Sequence, residues 1–415
     1  MSVSALGRNA AVIFNVNRRI ATIVRLLLFC FAGVVAVGAM QAQTFNVIYN
    51  FDTNMIGAEP YAGVTLDGHG NIYGTNSHYG VGYGTVYKLS NRNGVWLASV
   101  LYEFAGGMDG AFPASRIVFG PDGSLYGTTS QGGGTGCNAQ GCGTVFKLSP
   151  APNICHAISC PWVETVLYRF TGGADGAAPE YGDIIFDNAG SIYGTTSGGD
   201  VNFGSVYKLT NSGGVWTETT LWTFSGGADG FFPEGGVVFN AAGNLYGTMS
   251  TGVFELSPSA GGWSETVLHT FNNMTDGSSA ASNMVFDQAG NLYSDTDVLG
   301  PSQGGTIFQM SPSGASWDFQ VLYSFDGGRG TVGTSLYLEP GGFLYGVRSA
   351  NSADYGEAFV YSLFYDTYSV LHEFSGGNQG SAPFEGIVMD AEGNLWGTAA
   401  SGGTHGYGLV YEITR

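Results

Sequence analysis

Residues 191–195 read Ser-Ile-Tyr-Gly-Thr, and nearly the same phrase stands at 71–75, 124–128 and 244–248. It returns altered as Asn291-Leu-Tyr-Ser-Asp295 and Phe343-Leu-Tyr-Gly-Val347, and again as Asn394-Leu-Trp-Gly-Thr398. Its aromatic residue, at Tyr73, Tyr126, Tyr193, Tyr246, Tyr293, Tyr345 and Trp396, is spaced by 53, 67, 53, 47, 52 and 51 positions. One unit of roughly 53 residues, copied seven times, thus fills the chain from residue 45 to Arg415, and a steady period of that length marks a repeat architecture.

Each copy holds four strand-like segments. The first is a short apolar run, at 117–119, 184–186, 237–239, 284–286 and 387–389. Without alternation, it suits a strand covered on both faces. A turn follows, such as Asp187-Asn-Ala-Gly190, in which Asp bonds the backbone ahead of it and Gly takes positive φ. The repeated phrase is the second strand. The third, at 85–89, 144–148, 205–209 and 408–413, puts an aromatic and a Leu or Ile on one face and Lys or Glu on the other. The fourth begins near a Trp and ends in Leu-Tyr-x-Phe or a variant of it, as at 162–170 and 216–224. Four antiparallel strands at a steady period predict an all-β fold, a seven-bladed β-propeller of four-stranded antiparallel blades. The order is permuted at the ends. Residues 45–51 form a fourth-type strand with no unit before it, and 409–413 a third-type strand with no fourth after it. The N-terminal strand is therefore expected to complete the last blade and close the ring.

The chain ahead of the repeats is different material. Residues 1–42 carry Arg8, Arg18, Arg19 and Arg25, no acid, and the apolar run 26–38 (LLLFCFAGVVAVG), short for a membrane span. This reads as a signal peptide cleaved after Ala42, with Ala39 as the second choice, leaving 43–415 as one seven-repeat propeller domain secreted to the periplasm or the exterior. The Arg18-Arg19 pair lacks the surroundings of a twin-arginine signal. Past the leader, 9 basic residues face 32 acidic ones, a formal charge of −23. That balance argues against nucleic acid or an anionic membrane as partner, and its ordinary effect is solubility; a monomer is expected. Cys137, Cys142, Cys155 and Cys160 form two C-x4-C pairs. In an exported chain they are read as disulfides 137–142 and 155–160 rather than a zinc site. A bridge between the pairs would have to span the intervening strand of about 23 Å, whereas bridged Cα atoms lie within about 7 Å.

Units of the form x-Leu-Tyr-Gly-Thr-Thr-Ser-x-Gly-Gly…Gly-Thr-Val-Phe-Lys-Leu-Ser, joined by Leu-Tyr-x-Phe-x-Gly-Gly-x-Asp-Gly-x-x-Pro, resemble the GloVer-type tandem-repeat proteins exported by bacteria. The resemblance covers about residues 45–415, strongest in copies two to four and weakest in five and six. It implies export and a repeat fold, and no activity. Members of that family carry a C-terminal sorting or anchoring segment, and none is expected here after the strand that ends at Arg415.

In a propeller the loops from fourth to first strand and from second to third strand share one face. Here both are long and Gly-rich, so a ligand is expected on that face. Asp109, Asp175, Asp229 and Asp276 hold one position of the loop entering the next copy; Glu180 and Glu234 follow Pro179 and Pro233, and Glu385 lies two after Pro383. Two readings apply: a carboxylate crown for Ca2+ or a basic or sugar ligand, or aspartates that cap their own turns beside solvated glutamates, which is preferred. No other cofactor is implied. His78 and His405 lie in second-to-third-strand loops of the same face, while His269 and His372, in place of the Tyr of Leu-Tyr-x-Phe, are read as blade surface. The repeated Tyr of the second strand is read as inter-blade packing. No H-E-x-x-H, G-x-S-x-G or P-loop occurs, so no catalytic residue is assigned. The expected function is a secreted, non-catalytic scaffold that binds an extracellular protein or glycan. The alternative is an extracellular propeller enzyme acting on polysaccharide through paired carboxylates.

Overall fold

A computed structural model describes residues 43–52, 57–77, 82–150, 162–199, 203–327, 335–349 and 355–415. Their strands form seven four-stranded sheets, the blades of a seven-bladed β-propeller. Blade three represents the plan: Ile185–Phe186, Ile192–Thr196, Ser205–Ser212 and Val215–Thr223 pair antiparallel in that order. The last sheet runs Val388–Met389, Leu395–Ala399, Leu409–Thr414 and then Thr44–Asn50, so the N-terminal strand does complete blade seven. The Phe51 N–H donates to the Gly408 carbonyl at 3.0 Å, and Asn46 Nδ2 donates to Glu412 Oε2 at 3.2 Å across the same seam.

The second strand that carries the repeated phrase is buried along its whole length, as at Ile192–Thr196 and Leu245–Met249, in every blade but the sixth, where Phe343 is half-buried. Its glycine stands directly opposite the third-strand aromatic: Gly74 opposite Tyr87, Gly127 opposite Phe146, Gly194 opposite Tyr207, Gly247 opposite Phe254, Gly346 opposite Phe359 and Gly397 opposite Tyr411. A Cβ on Gly194 would lie 2.4 Å from the Tyr207 hydroxyl oxygen, so the ring covers bare backbone and no larger residue fits. Blade five puts Ser294 opposite Phe308, and the Ser294 hydroxyl is buried with no hydrogen-bond partner among the described residues.

Each of those rings also meets the Phe that ends the preceding blade's outer strand. Centroid distances are 5.1 Å for Phe104–Phe146, 5.1 Å for Phe170–Tyr207, 5.2 Å for Phe224–Phe254 and 5.6 Å for Phe271–Phe308. They continue at 5.4 Å for Phe325–Phe359, 5.2 Å for Phe374–Tyr411 and 5.1 Å for Phe51–Tyr87. The last of these joins the N-terminal strand of blade seven to blade one. The strict alternation of the outer strand breaks at one place. A register shift in the third-to-fourth pairing, between Val145 and Phe146 and at the matching site of five other blades, leaves one outer-strand residue over. In blade two that residue is Leu167, and the bulge buries it together with Phe170.

The second-strand tyrosines do pack between blades. Tyr73, Tyr126, Tyr193 and Tyr246 stand edge-on to Phe119, Phe186, Phe239 and Phe286 of the next blade's first strand, at 5.0–5.4 Å. The hydroxyls of Tyr73, Tyr126 and Tyr193 reach back to the turn acid, as in Tyr193 to Asp187 Oδ2 at 3.1 Å, and that carboxylate also accepts from the Ala189 and Ser191 N–H groups. Tyr246, whose turn holds Asn240, donates instead to Glu255 Oε1. His269 and His372 are more than blade surface. His269 stacks on Phe319 of blade five at 3.8 Å and His372 on Phe45 of blade seven at 3.7 Å, where the flat, half-buried imidazole fills the seam between two outer strands.

Among the described residues the only helical pieces are the turns Gly136–Ala139 and Gly377–Gln379. None of their helices is long and apolar enough to cross a membrane. Cys137 and Cys142 are disulfide-bonded with Cα atoms 5.3 Å apart, while Cys155 and Cys160 lie outside the described residues.

The ring-over-glycine contact makes opposite forecasts for its two members. The Tyr207 hydroxyl is buried without a partner among the described residues, and blades two, four, five and six carry Phe there. Tyr207→Phe should therefore leave stability unchanged or raise it by up to about 1 kcal/mol, whereas Gly194→Ala should cost about 1–3 kcal/mol or more. Urea titrations followed by tryptophan fluorescence measure both.

Candidate functional site

The residues that enter the axial region are placed by a clamp repeated from blade to blade. The loops leading into the first strands of blades one to four and seven carry a proline that packs on the glycine opening the preceding blade's third strand. An added Cβ would lie 2.5 Å from Pro113 at Gly84, 2.6 Å from Pro179 at Gly143, 2.4 Å from Pro233 at Gly204 and 2.6 Å from Pro383 at Gly356. The residue before each of these four prolines, Phe112, Ala178, Phe232 or Ala382, takes φ of 52–57°. That sparsely populated conformation persists because the loop is held on both sides. The kink directs the residues after the proline toward the axis.

There they surround a cavity of about 620 Å³ on the Gly-rich face. Its wall includes the carboxylates of Glu180, Glu234, Asp297 and Glu385 and the aromatic side chains of Tyr61, Phe112, Tyr181 and Phe384. Among the described residues no Lys, Arg or His lines it. Burial drives the Glu180 carboxyl up to about 7, with the charge of Glu234 adding to it and a hydrogen bond from Ser197 opposing it. Burial raises Glu234 as well, and it holds Glu385 and Asp297 well above the usual carboxylate range; next in size are Asp183 for Glu385 and Asp295 for Asp297.

A belt of polar contacts lies beside this mouth, built from the residues just before the first strands. Arg116 Nε donates to Asp183 Oδ2 at 3.0 Å, joining blades two and three. Asn283 Oδ1 accepts from the Gly236 N–H at 2.8 Å and the Asp183 N–H at 3.3 Å, while its Nδ2 donates to Ser335 Oγ at 2.8 Å. One side chain thus ties blades three to six. A second cavity of about 480 Å³, lined by Arg116, Ser335 and first-strand side chains such as Met284 and Leu336, shares Glu385 with the mouth.

The sequence-derived candidates separate into two groups. Glu180, Glu234 and Glu385 meet at the mouth. Asp109, Asp175, Asp229 and Asp276 do not line it; each accepts the backbone N–H four residues earlier, of Ala105, Thr171, Ser225 and Asn272. Three of them also accept from the outer strand, Asp109 from Tyr102 at 2.7 Å, Asp175 from Tyr168 at 3.0 Å, and Asp276 from His269 Nε2 at 2.9 Å. They are loop caps. His405 is exposed and away from the mouth, and His78 lies outside the described residues. Among the described residues no three Asp, Glu, His or Cys side chains gather as a metal ion would need.

Sequence reading missed Asp297, the four aromatic residues, and the belt. The altered phrase of copy five, where the resemblance is among the weakest, carries a further group. There Asp295 replaces the threonine that elsewhere bonds the next blade, as Thr248 does to the Ser282 carbonyl at 2.9 Å. Asp295 is fully buried, and its Oδ2 has no hydrogen-bond partner among the described residues. The departure from the repeat was itself the signal.

Burial raises the Asp295 carboxyl from its usual 3.8 to about 8, a hydrogen bond from Ser282 opposing the shift. The folded state then holds a proton that the unfolded chain has released, so stability falls as pH rises from about 4 to about 8 and is level above. Asp295→Asn should therefore gain on the native protein across that window, by on the order of 3 kcal/mol, and show no further gain at higher pH. Melting temperatures of both proteins from pH 4 to 9 test it; parallel curves would remove Asp295 as the source.

No curated protein sequence matches the chain. Among solved structures, a chain described as the extracellular domain of a hybrid two-component system from B. thetaiotaomicron superposes with TM-score 0.51 at 13% identity, covering 89% of this chain and 39% of that one. A protein from Lactobacillus plantarum superposes with TM-score 0.50 at 12% identity, covering 81% and 96%. At such identities the likeness concerns the fold alone. In sequence, the family model for the Gloeobacter/Verrucomicrobia repeat matches residues 32–253 and 250–415, spanning the seven blades. The chain belongs to the Gloeobacter/Verrucomicrobia repeat family.

Proposed function

We propose that this protein is exported and acts as a non-catalytic binding propeller whose ligand enters the axial mouth. The observation that carries the reading is the 620 Å³ cavity, where carboxylates and aromatic faces from several blades converge. Concave sites of that size, with a few convergent polar groups, suit small ligands or the tip of a larger one. Export is supported by the apolar run 26–38 behind four arginines and by the Cys137–Cys142 disulfide, which needs an oxidising compartment.

A second reading, an enzyme acting on polysaccharide, draws on one observation. Glu180 stands near 7 partly through the charge of Glu234, the kind of paired-carboxylate setting in which one group serves as acid and the other as base. Incubation of the protein with a glycan array and a panel of chromogenic glycosides separates the two. Retention of a ligand without turnover supports the binding module. Turnover that is lost in both Glu180→Gln and Glu234→Gln would replace it with the enzyme.

Export has its own test. The secreted product should begin at Gln43, or one signal-peptidase step earlier at Met40, by N-terminal sequencing. Protein that keeps residues 1–42 and stays in the inner membrane would overturn it.

A further inference from the structure

We infer that the axial mouth takes an alkylammonium group, carried by a free amine or by a lysine side chain. The inference rests on the reading of the mouth as a binding site and names its ligand chemistry. Four carboxyls face this space, Glu180, Glu234, Asp297 and Glu385, and no basic side chain lines it among the described residues. The nearest cation of the belt, Arg116, donates to Asp183 and lines the neighbouring cavity, and its charge reaches one of the four carboxyls, Glu385. Glu385 is only 7% exposed, and the one charge that favours its ionised form, Arg116, is outweighed by burial and by Asp183. Asp297 Oδ1 is buried without a hydrogen-bond partner among the described residues, although the carboxyl also accepts from the Ala281 N–H and the Ser279 side chain. A buried carboxylate lacking donors is costly to keep, and an ammonium group supplies both three N–H donors and the missing charge.

The aromatic residues point the same way. Tyr61 and Phe384 pack together with centroids 5.2 Å apart beside the carboxyls. Exposed Tyr181 and half-buried Phe112 complete the set. Aromatic faces within about 6 Å of a cation add attraction that a carboxylate cluster alone lacks. They give nothing to a calcium ion, which requires six to eight oxygen ligands, and no three acidic side chains here are set for one among the described residues. A neutral sugar would leave the carboxylates uncompensated. Carboxylate and ring together match an organic cation with a methylene stem.

Isothermal titration at pH 7.5 and low salt is the direct experiment, with spermidine, Nα-acetyl-lysine amide, calcium chloride and a neutral cello-oligosaccharide as probes. Saturable binding of at least one of the two amines at a single site is expected, spermidine alone pointing to a free amine and the lysine amide to a side chain. Glu385→Gln and Glu234→Gln should each weaken it tenfold or more, while Asp109→Asn, outside the mouth, should leave it unchanged. Melting temperatures show which variants fold, and the two mouth variants back each other. Absence of amine binding overturns the inference, as does amine binding equal in all variants, which would mark adsorption to an acidic surface. Sugar binding alone, lost in the mouth variants, overturns the cation but keeps the binding module. No probe affected by any mouth variant removes both.

Discussion

The structure depends on one contact made seven times: an aromatic ring of a third strand lies over its own blade while its edge meets the Phe ending the blade before. Six of the seven rings cover a glycine; Phe308 covers Ser294. The contact needs three residues from distant parts of the repeat, and it closes, since Phe51 of the first strand meets Tyr87 just as Phe170 meets Tyr207. Edge-on aromatic pairs contribute about 0.5–1.5 kcal/mol each beyond burial. Seven of them weigh heavily against a net stability of about 5–15 kcal/mol. The N-terminal strand is held by the same contact that orders every other seam, so the ring needs no separate clasp.

This explains which parts were legible in the sequence. A column occupied by Gly, Tyr or Phe in nearly every copy reports a contact made in every blade, and strand order, turn position and closure all follow from such columns. The bulge was not legible, because Val-Leu-Tyr-x-Phe reads as an ordinary run until the third-strand register forces Leu167 and Phe170 to the same side. The histidines misled for a related reason. His269 looks like a loss of tyrosine, yet its Nε2 keeps the bond to Asp276 that Tyr102 and Tyr168 make to Asp109 and Asp175.

The candidate site was half legible. Glu180 and Glu234 announce themselves by following a proline, and that proline proves to be the clamp that aims them. The position just before the first strand carried no such signal. It reads Gly63, Arg116, Asp183, Gly236, Asn283, Ser335 and Gly386, a column that varies where its neighbours repeat. The axis is the one place where all blades come close, and an identical polar side chain in all seven would crowd and repel itself. The chain breaks the repeat instead. Glycine at 236 leaves room for the Asn283 amide, since a Cβ there would sit 2.4 Å from its oxygen, and a paired Arg116 and Asp183 offset one another.

Stability and binding are thereby assigned to different columns. The aromatic contacts repeat and involve no charge, while the axial residues vary and carry the groups that resist ionisation. A formal charge of −19 for the whole chain mostly reflects solvated surface, which water screens cheaply. The carboxyls at the mouth are different, because burial rather than net charge raises them and neighbouring carboxyls add to it, Arg116 opposing only at Glu385. A fold held together by its axis could not tolerate that incompletely compensated cluster. A fold held by seven peripheral seams can, and the cost retained at the mouth becomes free energy that a cationic ligand releases when it binds.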